Sequence, residues 1–172
     1  MAPLGAGVYA LSAVTSVLTG WASDRWLKAG ASSNRVRKTA LLTGLAALAA
    51  CLSVCAFAGP LGTLSALAGC GLGLGMLVPA IFASAQTLAG PGAAARWMGV
   101  QNFSANLAGI SAPVITGVVV DRTGSFSSAF LIAAGVALVG VLAYGVIVRR
   151  IETIDWRATD SRGLAAALPE QS

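Results

Sequence analysis

The sequence contains no histidine, the residue that most often serves as a metal ligand and as an acid–base catalyst near neutral pH. It has three cysteines, Cys51, Cys55 and Cys70, and all of them fall inside long apolar runs. Zinc sites built from cysteine need further thiolates or histidines at fixed spacing, which this chain does not offer. We therefore expect no metal and no cofactor, and we interpret the cysteines as small packing residues.

Charged residues are also scarce. They make up 10% of the 172 residues, whereas about a quarter of the residues of a typical soluble domain carry charge. Hydrophobic residues reach 56% and the mean hydropathy is +0.81, so the composition indicates a membrane protein. The net charge of +5 does not indicate a nucleic-acid partner, because the basic residues lie at the ends of apolar runs, where they meet lipid headgroups.

Apolar runs of about 20 residues, the length that crosses a bilayer, predict an all-α membrane protein with about five transmembrane helices and no sizeable aqueous domain. The predicted spans lie in a transmembrane domain of residues 1–150, at residues 4–22, 41–58, 63–88, 97–120 and 126–148. Tight turns are predicted at residues 59–62 and 90–92. Residues 151–172 are expected to form a cytoplasmic tail with short amphipathic structure fading into disorder.

Glycines cluster in the third apolar run, at Gly69, Gly71, Gly73 and Gly75. The letters GCGLGLG superficially resemble a dinucleotide-binding loop, but no soluble strand precedes them and no acidic residue follows. We expect these glycines to let neighbouring helices approach closely, and we expect Pro79 to kink the span.

The distribution of basic residues predicts the orientation in the membrane. The segment of residues 20–38, which we call the hinge, carries five of the 11 basic residues, namely Arg25, Lys28, Arg35, Arg37 and Lys38. Five more fall on the same side of the predicted spans, at Arg96, Arg149, Arg150, Arg157 and Arg162. Arg122 is alone on the other side. The positive-inside rule therefore predicts a first residue outside and a cytoplasmic tail, in the plasma (inner) membrane. In this interpretation Arg35, Arg37 and Lys38 only hold the hinge inside.

No Asp, Glu, Lys or Arg lies in the middle of a predicted span, so the serines and threonines there have no base to activate them. We therefore expect no enzyme. Carboxamides do occur in the fourth span, at Gln101, Asn102 and Asn106, where each needs a hydrogen-bond partner. They could bond neighbouring helices or line a cavity that binds an anionic or hydroxylated solute. Gln86 in the third span is a weaker candidate for the same role.

At this point the sequence resembles a known family. Gly20, Asp24 and Arg25, followed by basic residues, resemble the Gly-x-x-x-Asp-Arg loop of the major facilitator superfamily, which occurs once in each half of its transporters. The stretch GVQNFSAN at residues 99–106, with Ala112-Pro113 and the TGSF of residues 123–126, is similar to the last two helices of the anion:cation symporter branch. Ile154-Asp155-Trp156 also resembles that branch.

The resemblance implies that the chain is the C-terminal part of a twelve-helix transporter, from helix eight to helix twelve. It implies that Asn102 and Asn106 face the substrate from helix eleven, with Gln101 beside them. It also implies that Asp24 acts in a cytoplasmic gating loop, where Gly20 allows close helix approach and Arg25 is the charged companion. The carboxylates that carry protons or sense cations would then lie in a missing N-terminal half. Lys28 departs from the commoner Gly-Arg-Lys continuation of the loop.

These observations predict secondary active transport of a small organic anion by alternating access, with proton or cation coupling. Sugar acids, dicarboxylates and aromatic acids all remain possible solutes. The expected partners are this solute, the lipid bilayer and the missing half, with no nucleic acid. The alternative is a truncated membrane protein or subunit that does not transport.

Overall fold

Long helices account for nearly all of the computed structural model, which describes residues 2–148 and 150–154. Helix α1 runs over Ala2–Lys28, α2 over Ser33–Phe57, α3 over Pro60–Thr123 and α4 over Phe126–Leu142, which continues into a π-helical turn, Ala143–Ile147. The described residues contain no strand. The predicted all-α class is therefore confirmed.

The hinge is mostly helical, whereas the resemblance implied a loop at Gly20, Asp24 and Arg25. Helix α1 extends to Lys28 and α2 starts at Ser33, so residues 29–32 alone separate them. Gly30 makes the reversal with a φ of 91°, and the Ser32 hydroxyl caps α2 by accepting from the Arg35 N–H at 3.4 Å. Charged residues indicate exposure to water. They do not prevent a segment from being helical when its other face packs against the rest of the protein.

Helix α3 is divided at Gly90, inside the predicted turn of residues 90–92. Gly90 has φ 68° and ψ 173°, a conformation that is essentially restricted to glycine. The break separates two helical halves, residues 60–89 and 91–123, of about 45 and about 50 Å at about 1.5 Å per residue. Pro79 and Pro113 keep helical backbone angles, so the sharp change of direction falls at Gly90.

Within the described residues, three helices are long and apolar enough to cross a membrane: Ser33–Phe57, Pro60–Thr123 and Phe126–Ile147. The second has 64 residues, and each half on either side of Gly90 exceeds the roughly 20 residues that a span requires. The exact division into five spans remains a prediction.

The first half of α3 lies between α1 and α2, and its glycines make both contacts. A Cβ on Gly71 would lie 2.8 Å from the Val8 carbonyl oxygen of α1. A Cβ on Gly73 would lie 3.1 Å from the Gly44 carbonyl oxygen of α2. Since alternate glycines point to different neighbours, the cluster brings two helices close to a third, as the small residues predicted.

The cysteines lie in the same region, between α2 and α3. Cys55 and Cys70 are buried, Cys51 is partly buried, and all three are free thiols. The part of the chain that the structure describes contains no cluster of His, Cys, Asp or Glu able to hold a metal ion. The Cys51 thiol occupies the space beside Gly69, where a Cβ would approach its sulfur to 2.5 Å.

At one end of the bundle, polar side chains of α2 tie the helices together. The Arg37 guanidinium donates to the Ala83 carbonyl of α3 at 2.9 Å, and the Lys38 ammonium donates to the carbonyls of Gly145 and Val148 at 3.2 and 3.0 Å. Both residues therefore do more than hold the hinge on one side. The two carbonyls that Lys38 contacts lie where the last helix ends and intrahelical partners run out.

The segment after α4 is fixed at the same end. The Ile151 N–H donates to the Asn34 side-chain oxygen at 2.9 Å, and the Ile154 N–H donates to the Leu88 carbonyl at 3.0 Å. The Ile151 side chain is 2% exposed and packs in a core cluster with Leu41 and Leu77. The start of the predicted tail is thus part of the folded bundle, while the rest, residues 155–172, lies outside the described residues.

Candidate functional site

The second half of α3 presents the predicted carboxamides. It starts at Pro91, a residue suited to the first turn of a helix, directly after the Gly90 break. Its residues 102–118 are all exposed in this chain, whereas the first half is packed on two sides. The helix therefore offers a long uncovered surface on which Asn102 and Asn106 lie.

Asn102 and Asn106 share one face of the helix, because they are four residues apart. The Asn106 amide nitrogen donates to the Asn102 backbone carbonyl at 2.8 Å, and both residues are exposed. A carboxamide has two N–H donors and an oxygen acceptor, so this bond leaves one N–H and the oxygen of Asn106 available. The pair can therefore both donate to and accept from a solute that reaches this surface.

Gln101 points in another direction. It lines a cleft of about 410 Å³ between the two halves of α3 and the end of α4. The lining residues share an uncharged character and are Ser84, Ala85, Leu88, Trp97, Val100, Gln101, Ser104 and Tyr144. Gln101 and Asn102 are consecutive, and successive residues point about 100° apart around a helix axis. Gln101 therefore faces a different side of α3 from Asn102 and Asn106.

Gln86 is not brought to either group. It is exposed on the first half of α3 and does not line the cleft, although Ser84, Ala85 and Leu88 around it do. The sequence interpretation missed Ser84 and Tyr144 as neighbours of Gln101. Nothing in the linear sequence signals them, since they come from the other half of α3 and from the end of α4.

The residues of the predicted gating loop lie at the C-terminal end of α1. Gly20 and Asp24 line a small cavity of about 130 Å³ that also contacts Arg37 and Pro79. Asp24 is exposed. It forms no ion pair within the described residues, where the one ion pair joins Arg150 to Glu152 at 3.8 Å. Arg25 lies over the Trp21 ring, 5.6 Å from its centroid. In this chain Arg25 is therefore a partner of Trp21 and does not pair with Asp24.

The two cavities differ in the chemical groups that line them. The cleft around Gln101 is lined by hydroxyl, amide, aromatic and aliphatic groups, and no Asp, Glu, Lys or Arg is among its lining residues. Asp24 and Arg37 lie beside a separate, smaller cavity. Apolar helices long enough to cross a membrane, with a few polar side chains along them, define an all-α membrane protein.

Comparison with known proteins identifies the family. The family model of the Major Facilitator Superfamily matches residues 2–170. The chain belongs to this superfamily of transporters, as the sequence motifs predicted.

Individual relatives are named as transporters of sugar acids. The chain is 51% identical over 53 residues to the hexuronate transporter of Bacillus subtilis (strain 168), an alignment that covers 31% of this chain and 13% of that protein. It is 30% identical over 141 residues to the probable galactarate/D-glucarate transporter of the same organism, covering 80% of this chain and 30% of the relative.

The probable galactarate/D-glucarate transporter of Escherichia coli (strain K12) is 32% identical over 146 residues, covering 83% of this chain and 31% of the relative. The chain thus spans about a third of the length of the curated relatives that it matches over most of its length.

Proposed function

We propose that this chain is the C-terminal portion of a secondary active transporter that carries a small organic anion of the sugar-acid class. The names of three relatives, all sugar-acid transporters, carry the proposal. The uncovered carboxamide surface of α3 supports it, because such a surface suits the wall of a solute path between two transporter halves.

In this proposal Asn102 and Asn106 bind the solute. Their N–H groups donate to the carboxylate, and their oxygens accept from hydroxyls. Gln101 contributes from the adjoining cleft, and Gln86 would take part only if the exposed surface of α3 is covered by the other half. Transport then follows from rocking of the two halves around a site near the membrane midplane.

The hinge supplies the gate and the orientation. Asp24 and Gly20 border a cavity between α1, α2 and α3, where a helix end of the other half would meet the carboxylate. The end of the bundle that carries Arg37, Lys38 and Arg150 faces the cytoplasm of the plasma (inner) membrane, with the first residue of the chain outside. Coupling to protons or cations resides in carboxylates of the other half.

A non-transporting membrane subunit is the second candidate. The feature that favours it is the tight closure of one end of the bundle by Ile151 and Asn34, which stabilises this chain without help from a second half.

Uptake distinguishes the two functions. The longest open reading frame that contains this chain should be reconstituted in proteoliposomes and tested with labelled organic acids, with and without a pH gradient. We expect saturable uptake of a sugar acid, weakened about tenfold by Asn106→Ala and unchanged by Ser111→Ala, an exposed hydroxyl bonded to its own helix. Uptake of neutral sugars alone would exclude the anion assignment, and no uptake would favour the subunit.

A further inference from the structure

A cavity of about 650 Å³ lies at the break of α3. Its lining combines the small residues of the break with one turn of helix and with the segment after α4, namely residues 89–93, Arg96, Trp97, Val100, Thr153 and Ile154. The volume falls in the range of about 300–1,000 Å³ that is usual for small-molecule sites. The cavity is therefore large enough to hold a ligand.

The position of the cavity along α3 places it at a membrane surface. The helical halves on either side of Gly90 are each longer than the roughly 20 residues that a span requires. On the predicted division of α3 into two spans, the chain leaves the bilayer at Gly90 and enters it again. Arg37, which donates to the Ala83 carbonyl, lies at the same end of the bundle. The cavity is thus at the level of the lipid headgroups, among cationic side chains.

Arg96 is the one charged residue in the lining of this cavity. It is exposed, and it has no acidic partner in the part of the chain that the structure describes, where Glu152 pairs with Arg150. A guanidinium presents its N–H donors in a planar fork that matches two oxygens of a phosphate group. The cavity therefore favours an anionic group next to Arg96.

An apolar stripe continues from Arg96 along the same face of α3. It consists of Val100, Phe103 and Leu107, which follow Arg96 at intervals of four, three and four residues, and each is more than half exposed. From Arg96 to Leu107 the helix rises about 16 Å at 1.5 Å per residue, close to the roughly 15 Å of hydrocarbon in one leaflet. Trp97, next to Arg96, is of a residue type that is enriched at the headgroup level.

An amphiphile with a negative headgroup matches both features of this face. A small free anion would contact Arg96 and leave the stripe uncovered, whereas a neutral apolar chain would leave the charge of Arg96 unbalanced. Basic pockets between helices at a membrane surface bind anionic lipid headgroups. We propose that Arg96 and the stripe bind an anionic phospholipid, with the phosphate at Arg96, the headgroup in the cavity and an acyl chain along the stripe.

Photoactivatable lipids test this site in the longest open reading frame that contains this chain, reconstituted in phosphatidylcholine liposomes. Trace probes of phosphatidylglycerol, which is anionic, and of phosphatidylcholine, which is zwitterionic, carry a diazirine on the acyl chain, and mass spectrometry locates the labelled residues. We expect the phosphatidylglycerol probe to label residues 97–107 about fivefold more than the phosphatidylcholine probe, the ratio expected for one basic residue near an anionic lipid.

Three variants and a competitor identify the group that selects the lipid. Arg96→Gln should abolish the preference for phosphatidylglycerol, and Arg96→Lys, which keeps the charge, should retain it. Arg122→Gln is the matched control, because Arg122 is also an exposed arginine of α3 but lies in its last turn, so the preference should be unchanged. An excess of inorganic phosphate should leave the labelling unchanged.

Equal labelling by the two probes in the parent, or the same preference in Arg96→Gln, would overturn the assignment. Loss of the preference in Arg122→Gln or in Arg96→Lys would also overturn it, since the charge of Arg96 would then not be the selecting group. Loss of labelling in excess phosphate would assign Arg96 to a free anion, and unlabelled residues 97–107 would show that a helix of the other half covers the stripe. The labelling requires no transport, so its outcome is independent of the uptake assay.

Discussion

Replacing Gly75 by alanine should separate α1 from α3. A Cβ at this position would lie 2.5 Å from the Thr15 Cβ and 2.6 Å from the Ser12 carbonyl oxygen. Carbon atoms in favourable contact are about 3.5–4.0 Å apart, so the helices would have to move by about 1 Å. The Ser12 oxygen belongs to the backbone and cannot turn away as a flexible side chain could.

The size of the effect follows from two opposing contributions. Overpacking a close contact costs about 1–3 kcal/mol. Alanine regains about 0.5–1 kcal/mol over glycine from its higher helix propensity. We therefore expect Gly75→Ala to lower the free energy of unfolding by up to about 2.5 kcal/mol, and to be about 1–3 kcal/mol less stable than a glycine-to-alanine variant that has the propensity gain alone.

Gly109→Ala is the matched control. Gly109 is also helical, but nothing lies within 4 Å of a Cβ built there, so the propensity gain should act alone. Unfolding of both variants in mixed micelles with increasing SDS, followed by circular dichroism, measures the difference. If Gly75→Ala proved as stable as Gly109→Ala, the close approach of α1 to α3 described above would be refuted.

Three further substitutions test the closed end of the bundle by the same unfolding assay. Gly90→Ala should cost about 1–3 kcal/mol because its φ of 68° strains any L residue, whereas Gly92→Ala, with no atom within 4 Å of its Cβ, should be nearly neutral. Ile151→Ala should cost about 2–4 kcal/mol, since the side chain is 2% exposed, and Ile154→Ala, at 38% exposed, should cost clearly less. Lys38→Met should cost about 1 kcal/mol by removing the donor to two carbonyls at the end of α4.

Each of these has its own contrary result. Equal stability of the two glycine variants would show that the break does not depend on Gly90. Equal losses of unfolding free energy in Ile151→Ala and Ile154→Ala would place Ile151 outside the core. A Lys38→Met protein as stable as the parent would show that water satisfies those carbonyls equally well.

Hydropathy and small residues were enough to predict the fold class and the close helix contacts. Both signals are local: an apolar run needs no knowledge of its neighbours, and glycines at residues 69–75 indicate close approach whichever helix approaches. The helical structure of the hinge was not predicted, because its charged residues indicate exposure to water and do not indicate where a helix ends. The burial of Ile151 could not be predicted, since it depends on Asn34 and Leu41, more than a hundred residues earlier in the chain.

The candidate site was predictable in part. The spacing of Asn102 and Asn106 places them on one face of any α-helix, and the structure has them there. The same helical geometry places Gln101 about 100° around the helix axis from Asn102. The sequence does not show which residues Gln101 contacts. Its neighbours Ser84 and Tyr144 are brought to it by the reversal at Gly90 and by the packing of α4, which are properties of the folded chain.

The central claim is that this chain forms part of the path of a sugar acid. The most direct test is uptake of labelled galactarate into proteoliposomes that contain the longest reading frame with this chain, in competition with excess unlabelled adipate or galactitol. We predict saturable galactarate uptake that Asn106→Ala weakens about tenfold, as expected for one hydrogen bond. Uptake that is absent, or that is the same in Asn106→Ala as in the parent, would contradict the account.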